Sequence, residues 1–244
     1  MIRHLTRLVA CLMAALGITL TASLPVVADI KDADRAALEE MIGDYIRANP
    51  DVVRDALLSL AEREAAAQRD QAMLILKNDD GDPFLGNPDA SFVIYEFSDY
   101  NCGYCKRVFT PLQELIASDG DIKLVIKEFP ILSESSVLAA QAGIAAQAQG
   151  VFEEFHIAMM TARGAISMDS ILAAAQSAGA DLDRLQADMN SPAVEAIISR
   201  TRAAAQQLEI SGTPGLVIGR QVIPGAISLD QMQEIIASER AANS

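Results

Sequence analysis

One pair of cysteines constrains this chain more than any other feature. Cys102 and Cys105 lie in the run Phe97-Ser98-Asp99-Tyr100-Asn101-Cys102-Gly103-Tyr104-Cys105, between an apolar strand-like stretch and a helix-like one. The third cysteine, Cys11, falls in the N-terminal segment. That segment reads as an export signal over residues 1–28. Arg3, His4 and Arg7 form a charged start, Leu8 to Leu20 an apolar run short for a membrane span, and Val26-Val27-Ala28 a small-residue cleavage site. The mature chain then keeps one C-x-x-C and no other thiol. A lone C-x-x-C at a strand-to-helix turn points to redox chemistry. Zinc would need two further Cys or His ligands, and His156 is the only histidine beyond the signal. A purely structural disulfide across so short a loop would add little stability.

The pattern around the cysteines fixes the fold class. Phe92-Val93-Ile94-Tyr95-Glu96-Phe97 predicts a buried strand, and Cys102 to about Ser118 a helix interrupted by Pro111. Asp121 to Phe129 predicts a second strand, so the three pieces form a βαβ unit. Residues 133–209 are almost wholly helix-forming. Leu216-Val217-Ile218 and Gln221-Val222-Ile223 then predict a hairpin through Gly219-Arg220, and a last helix starts at Ser228 with Gln231 in capping-box position. This order is α/β, a thioredoxin fold with an inserted helical subdomain at about 133–209, expected over 91–242.

An α-helical N-terminal extension precedes it, over 29–77. Leu38, Met41, Ile42, Tyr45 and Ile46 recur at helical spacing, and Asn49-Pro50-Asp51 starts a second helix carrying Val53, Ala56, Leu57 and Leu60 on one face. Such a stripe must be buried, against the domain or against other subunits. Residues 78–90, rich in Asn, Asp, Gly and Pro, read as a linker and domain boundary. The net charge is −14, and the signal segment holds two arginines and no acid, so the mature chain is more acidic still. With no basic patch visible, nucleic acid and anionic membranes are poor partners, and no nucleic acid is expected.

At the turn, Cys102 would stand at a helix N-terminus, where unpaired N–H groups and the helix dipole favour a negative sulfur. Cys105, one turn on, would resolve the mixed disulfide. Thr213-Pro214, just ahead of the hairpin, supplies a proline of the kind that adopts a cis bond. His156 reads as a structural helix residue, and Met159, Met160 and Met168 as core filling.

Three stretches carry a family resemblance: Phe97 to Lys106, Lys127-Glu128-Phe129-Pro130-Ile131-Leu132, and Gly212-Thr213-Pro214 with Val217-Ile218-Gly219. They resemble the DsbA-like thioredoxin family. The extension Ile42-Gly43-Asp44-Tyr45-Ile46 with Asn49-Pro50 resembles the branch that includes the suppressor-of-copper-sensitivity protein ScsC. The resemblance implies Cys102 as the attacking cysteine, Cys105 as the resolving one, and Thr213 and Pro214 as the substrate face. It also implies Glu96 as a buried proton relay, with Lys127 modulating it. It departs from DsbA-type oxidases at Gly103-Tyr104 and Thr213, which resemble isomerases and reductases of the DsbC kind. The expected function is a periplasmic thiol–disulfide oxidoreductase leaning to isomerase or reductase. The alternatives are a DsbA-like oxidase, and Cu(I) held by the two thiolates. No cofactor beyond the redox-active pair and no metal are expected. Expected partners are exported proteins, a membrane redox partner of DsbD or DsbB type, and further copies of the chain through the N-terminal helices.

Overall fold

The computed structural model describes residues 32–242. The expected signal segment 1–28, with Cys11, lies outside the described residues. The chain forms two compact units, divided between Ser59 and Leu60.

In the N-terminal unit, helix α1 spans Asp32–Ala48, and helix α2, Pro50–Lys77, begins there and continues into the second unit. Asn49 separates them and bonds back to the Tyr45 carbonyl through both its backbone N–H and its side chain, and Pro50 takes the first helical position, where a missing N–H costs nothing. The apolar residues of this unit stay in solvent: Leu38, Met41, Ile42, Tyr45, Val53 and Leu57 are all exposed.

The second unit is built on a five-stranded sheet in the order β1-β3-β2-β4-β5. Strand β1 is Phe84–Gly86, β2 is Phe92–Ser98, β3 is Ile122–Glu128, β4 is Gly215–Ile218 and β5 is Gln221–Pro224. β2 and β3 run parallel and are joined by helix α3, Gly103–Ser118. β4 lies antiparallel to β2 on its other side. Helices α4 (Glu134–Ala148), α5 (Phe152–Thr161), α6 (Met168–Ser177), α7 (Leu182–Met189) and α8 (Pro192–Gln207) form the insertion, and α9 (Leu229–Ala242) closes the chain. The thioredoxin-like α/β architecture expected from the sequence is present.

Two expectations are corrected. The stretch 78–90 contains strand β1, which pairs antiparallel with β3. Three residues between Pro83 and Asn87 are too few to show alternation, so the sheet edge reads as a turn-rich linker. Pro111 does not interrupt α3, which runs unbroken from Gly103 to Ser118. A proline removes a single helical hydrogen bond, and Val108, Phe109, Leu112 and Leu115 bury the helix on both sides of it.

The sheet separates two cores. One face packs Ile94, Leu124, Ile126, Leu216 and Ile218 against Val108 and Leu112 of α3 and Met232 and Ile236 of α9. The other packs Tyr95, Phe97, Val125 and Val217 against Ala72 and Leu76 of α2 and Ala204 and Ala205 of α8. A third core holds the insertion together and reaches the cysteines. Phe109, Phe155, Met159 and Met160 pack there with Cys102 and Cys105.

Candidate active site

Cys102 is the N-cap residue of α3, with extended backbone (φ −80°, ψ 113°). Its Sγ accepts a bond from the Cys105 backbone N–H at 3.4 Å. That bond satisfies one of the donors a helix start leaves open, and an anionic sulfur would use the same donor. Both cysteines are free thiols. Cys102 is 6% exposed and Cys105 is fully covered. Of the two sulfur-bearing residues only the first keeps any exposed surface.

The Thr213–Pro214 peptide bond is cis. The Cys102 thiol donates to the Thr213 carbonyl at 3.2 Å. Residues 111 positions apart are thus joined at the Cys102 sulfur. Beside Pro214 a groove of about 370 Å³ is lined by Ile210, Gly212, Thr213, Val222 and Pro224 among others. Tyr104, between the cysteines, is 60% exposed, and the Arg107 guanidinium stacks over its ring at 3.8 Å.

Beneath the cysteines lies Glu96 of β2, 1% exposed. Burial raises its carboxyl to about 7, and its Oε1 has no hydrogen-bond partner. Burial, and then the charge of Glu96, push the Cys105 thiol well up. The two groups are therefore electrostatically coupled, and each makes the other's anionic form more costly.

Lys127 is not brought to Glu96. In the parallel register Phe97 pairs with Lys127 and Glu96 with Ile126, so Lys127 points to the opposite face of the sheet. There its Nζ donates to Asp82 Oδ2 at 2.6 Å, and Arg200 Nη2 reaches the same oxygen at 2.9 Å. Burial dominates both partners, raising Asp82 and lowering Lys127.

Asp99, Tyr100 and Glu128, buried on the cysteine side, had no role assigned from the sequence, and they stand with His156, which was read as structural. Asp99 accepts from the backbone N–H of Asn101 at 2.8 Å, of Ile131 at 3.0 Å and of Leu132 at 3.1 Å, tying the loop before Cys102 to the loop after β3. Glu128 Oε1 is 2.9 Å from the Tyr100 hydroxyl, which lies 3.0 Å from His156 Nδ1. His156 sits buried against Phe109, Phe152 and Tyr100. A charged residue inside an apolar β-run, as at Glu128, is the sequence signal that could have flagged this group.

The comparisons with known proteins agree with this geometry. Residues 93–237 match the DSBA-like thioredoxin domain, and residues 34–67 match the copper resistance protein ScsC N-terminal domain. A thioredoxin-like oxidoreductase from Silicibacter pomeroyi is 39% identical with a TM-score of 0.66, covering 70% of this chain and 97% of its own. The catalytic domain of Proteus mirabilis ScsC is 30% identical with a TM-score of 0.65, covering 73% of this chain and 98% of its own. Curated relatives include the Na(+)/H(+) antiporter NhaA of Herminiimonas arsenicoxydans, 26% identical over 160 residues. This chain spans only 26% of that protein's length while 65% of the chain is matched.

Proposed function

This chain belongs to the DsbA-like thioredoxin family of oxidoreductases, and from that premise we propose that it is a periplasmic protein thiol–disulfide oxidoreductase acting as an isomerase or reductase. One observation carries the reading: the Cys102 sulfur is held between the Cys105 N–H and the Thr213 carbonyl, beside Pro214.

The thiolate of Cys102 attacks one sulfur of a substrate disulfide. The Cys102–substrate bond forms, the substrate disulfide breaks, and the displaced substrate sulfur leaves as a thiolate. Resolution requires Cys105 to lose its proton. Glu96, titrating near 7, takes that proton as a carboxylate. The Cys105 thiolate attacks Cys102 Sγ, the Cys102–Cys105 bond forms, and the substrate departs reduced. If instead a different substrate thiolate attacks the substrate sulfur of the mixed disulfide, a new substrate disulfide forms, the Cys102–substrate bond breaks, Cys102 leaves as a thiolate, and the net change is isomerisation. The electrons pass through the cysteine pair, and no cofactor takes part. An extended substrate segment lies in the groove beside Pro214 and pairs with the backbone at Thr213.

The lean to isomerase or reductase rests on residues. Gly103-Tyr104 puts no histidine between the cysteines, which removes one stabiliser of the thiolate and of the reduced form. Export to the periplasm rests on the signal-like segment 1–28. An isomerase also has to hold a misfolded substrate. The exposed stripe of Leu38, Met41, Ile42, Tyr45, Val53 and Leu57 supports assembly of several copies through the N-terminal helices. Reoxidation or reduction of the pair then falls to a membrane partner of the DsbD or DsbB type.

The test is refolding of scrambled ribonuclease. The wild-type chain restores activity and Cys102→Ala does not. A wild type with no effect in that assay, combined with tight Cu(I) binding, favours the second reading, a copper-tolerance protein. The match of residues 34–67 to the ScsC N-terminal domain supports that alternative. Light scattering with and without residues 29–76 checks assembly, and an unchanged mass per chain would remove the argument for it.

A further inference from the structure

A second buried acid stands beside Glu96. In the β2–β3 register Ser98 pairs with Glu128 and Glu96 with Ile126, so Glu96 and Glu128 are diagonal neighbours on the cysteine face. Glu128 has no exposure at all, and its Oε2 has no hydrogen-bond partner. Its surroundings can be named element by element. β2 and the loop after it bring Glu96, Ser98, Asp99 and Tyr100, and α3 brings Cys102 and Cys105. α5 brings His156, and α4 brings Ala139, Ala142 and Gly143. None of these is a cation. The buried cation Lys127 and the half-buried Arg200 are bound to Asp82 on the opposite face, and Lys106 donates to the Ala162 carbonyl.

A carboxylate in such a place would be a buried charge without a counter-ion, which a protein avoids by keeping the proton. His156 cannot supply the missing charge, because burial holds its ring down to about 3 and therefore neutral. Burial raises Glu128 well above the usual carboxylate range; the Tyr100 hydrogen bond pulls the other way, and Asp99, Glu96 and Asp82 add to the rise. The Tyr100 hydroxyl donates to Glu128 Oε1, and a neutral His156 donates its Nδ1–H to the Tyr100 oxygen, so the chain needs no charged member, while Glu128 Oε2 and His156 Nε2 have no partner. Gly143 is what lets α4 close over this pair: a Cβ there would stand 2.8 Å from Glu128 Oε1 and 2.9 Å from the Tyr100 oxygen.

We propose that Glu128, fully buried with Tyr100 and His156 in an uncharged chain and with no cation beside it, keeps its proton, so that Glu96 is the one acid under the cysteines that exchanges a proton with Cys105. Glu128 is a positioning residue. It touches no reacting atom and acts through Glu96 by withholding a like charge. The functional half of this statement rests on the relay proposed above for Glu96; the protonation state of Glu128 does not.

Infrared difference spectroscopy of the reduced full-length chain, wild type minus E128Q, reads Glu128 directly. At ~pH 8, where an ordinary glutamate is fully ionised, the expected result is the carbonyl band of a protonated acid, lost in E128Q. An ionised-carboxylate band there instead overturns the proposal. Y100F, which keeps the ring, should move the acid band to higher frequency as its hydrogen bond is lost; an unmoved band refutes the chain. The second readout is the rate at which a Cys102–glutathione mixed disulfide resolves, followed against pH. E96Q abolishes the transition near 7, and E128Q leaves its midpoint in place. A midpoint lowered by about one pH unit in E128Q means a like charge was removed, and overturns the proposal. An unchanged profile in E96Q refutes the Glu96 relay, and with it the functional half; the infrared result still decides the state of Glu128.

Discussion

Glu96→Gln should make this protein more stable, and more so as pH rises. Glu96 titrates at about 7 in the folded chain against 4.5 for an unperturbed glutamate. Its proton is therefore held more tightly folded than unfolded. The stability this gives is intact below the unfolded value and is lost as pH climbs through the folded one. Each pH unit of the gap is worth about 1.4 kcal/mol, so ionising Glu96 costs the native state about 3 kcal/mol by pH 9. Glutamine nearly matches the protonated acid in shape and carries no charge. The mutant and wild type should therefore be close in stability near pH 4, and the mutant ahead by about 3 kcal/mol near pH 9. Urea unfolding of the reduced chain at a series of pH values measures the difference. A gap that stays constant across the series would refute the reasoning, because Glu96 would then not titrate in this window. The relay proposed for Cys105 would lose its proton acceptor at the same stroke.

Other outcomes follow from the far side of the sheet and from α4. Asp82→Asn strands Lys127, whose side chain is 1% exposed, without its anion. Removing one partner of a buried pair costs about 3–5 kcal/mol, and adding Lys127→Met should recover most of it. Urea midpoints decide, and an Asp82→Asn chain within about 1 kcal/mol of wild type would contradict the pairing. Gly143→Ala gains helix propensity but drives a methyl to 2.8 Å from Glu128 Oε1. Overpacking of this kind costs about 1–3 kcal/mol, more than the gain of about 1 kcal/mol, so calorimetry should find a lowered Tm; a raised one would contradict the close approach.

The placement of the two cysteines was readable from the sequence, because a C-x-x-C between an apolar strand run and a helix start falls at the strand-to-helix turn, and Cys102 caps α3 there. Thr213-Pro214 gained meaning only beside it. The roles of Lys127 and Glu128 were not readable, and the reason is parity. β2 and β3 are buried on both faces, so no alternation of polar and apolar residues tells which side chains turn toward α3. The register Ser98↔Glu128 decides it, sending Glu128 to the cysteines and Lys127 to Asp82. Asp82 was hidden because its side-chain partners lie more than 40 positions away, and Asp99 because its bond to the nearby Asn101 N–H does not announce the two it makes to Ile131 and Leu132. Strand β1 failed for a different cause, being shorter than any period that could announce it. The exposed face of α1 and early α2 was visible as an amphipathic stripe, but a stripe does not say what covers it.

The reaction itself is open to trapping. Cys105→Ala leaves Cys102 able to attack and unable to be released. Incubated with a disulfide-bearing substrate protein and separated without reductant, this variant should accumulate a covalent adduct through Cys102, while Cys102→Ala with Cys105 intact accumulates none. Adducts formed equally by both variants, or by neither, would contradict the assignment of Cys102 as the attacking sulfur.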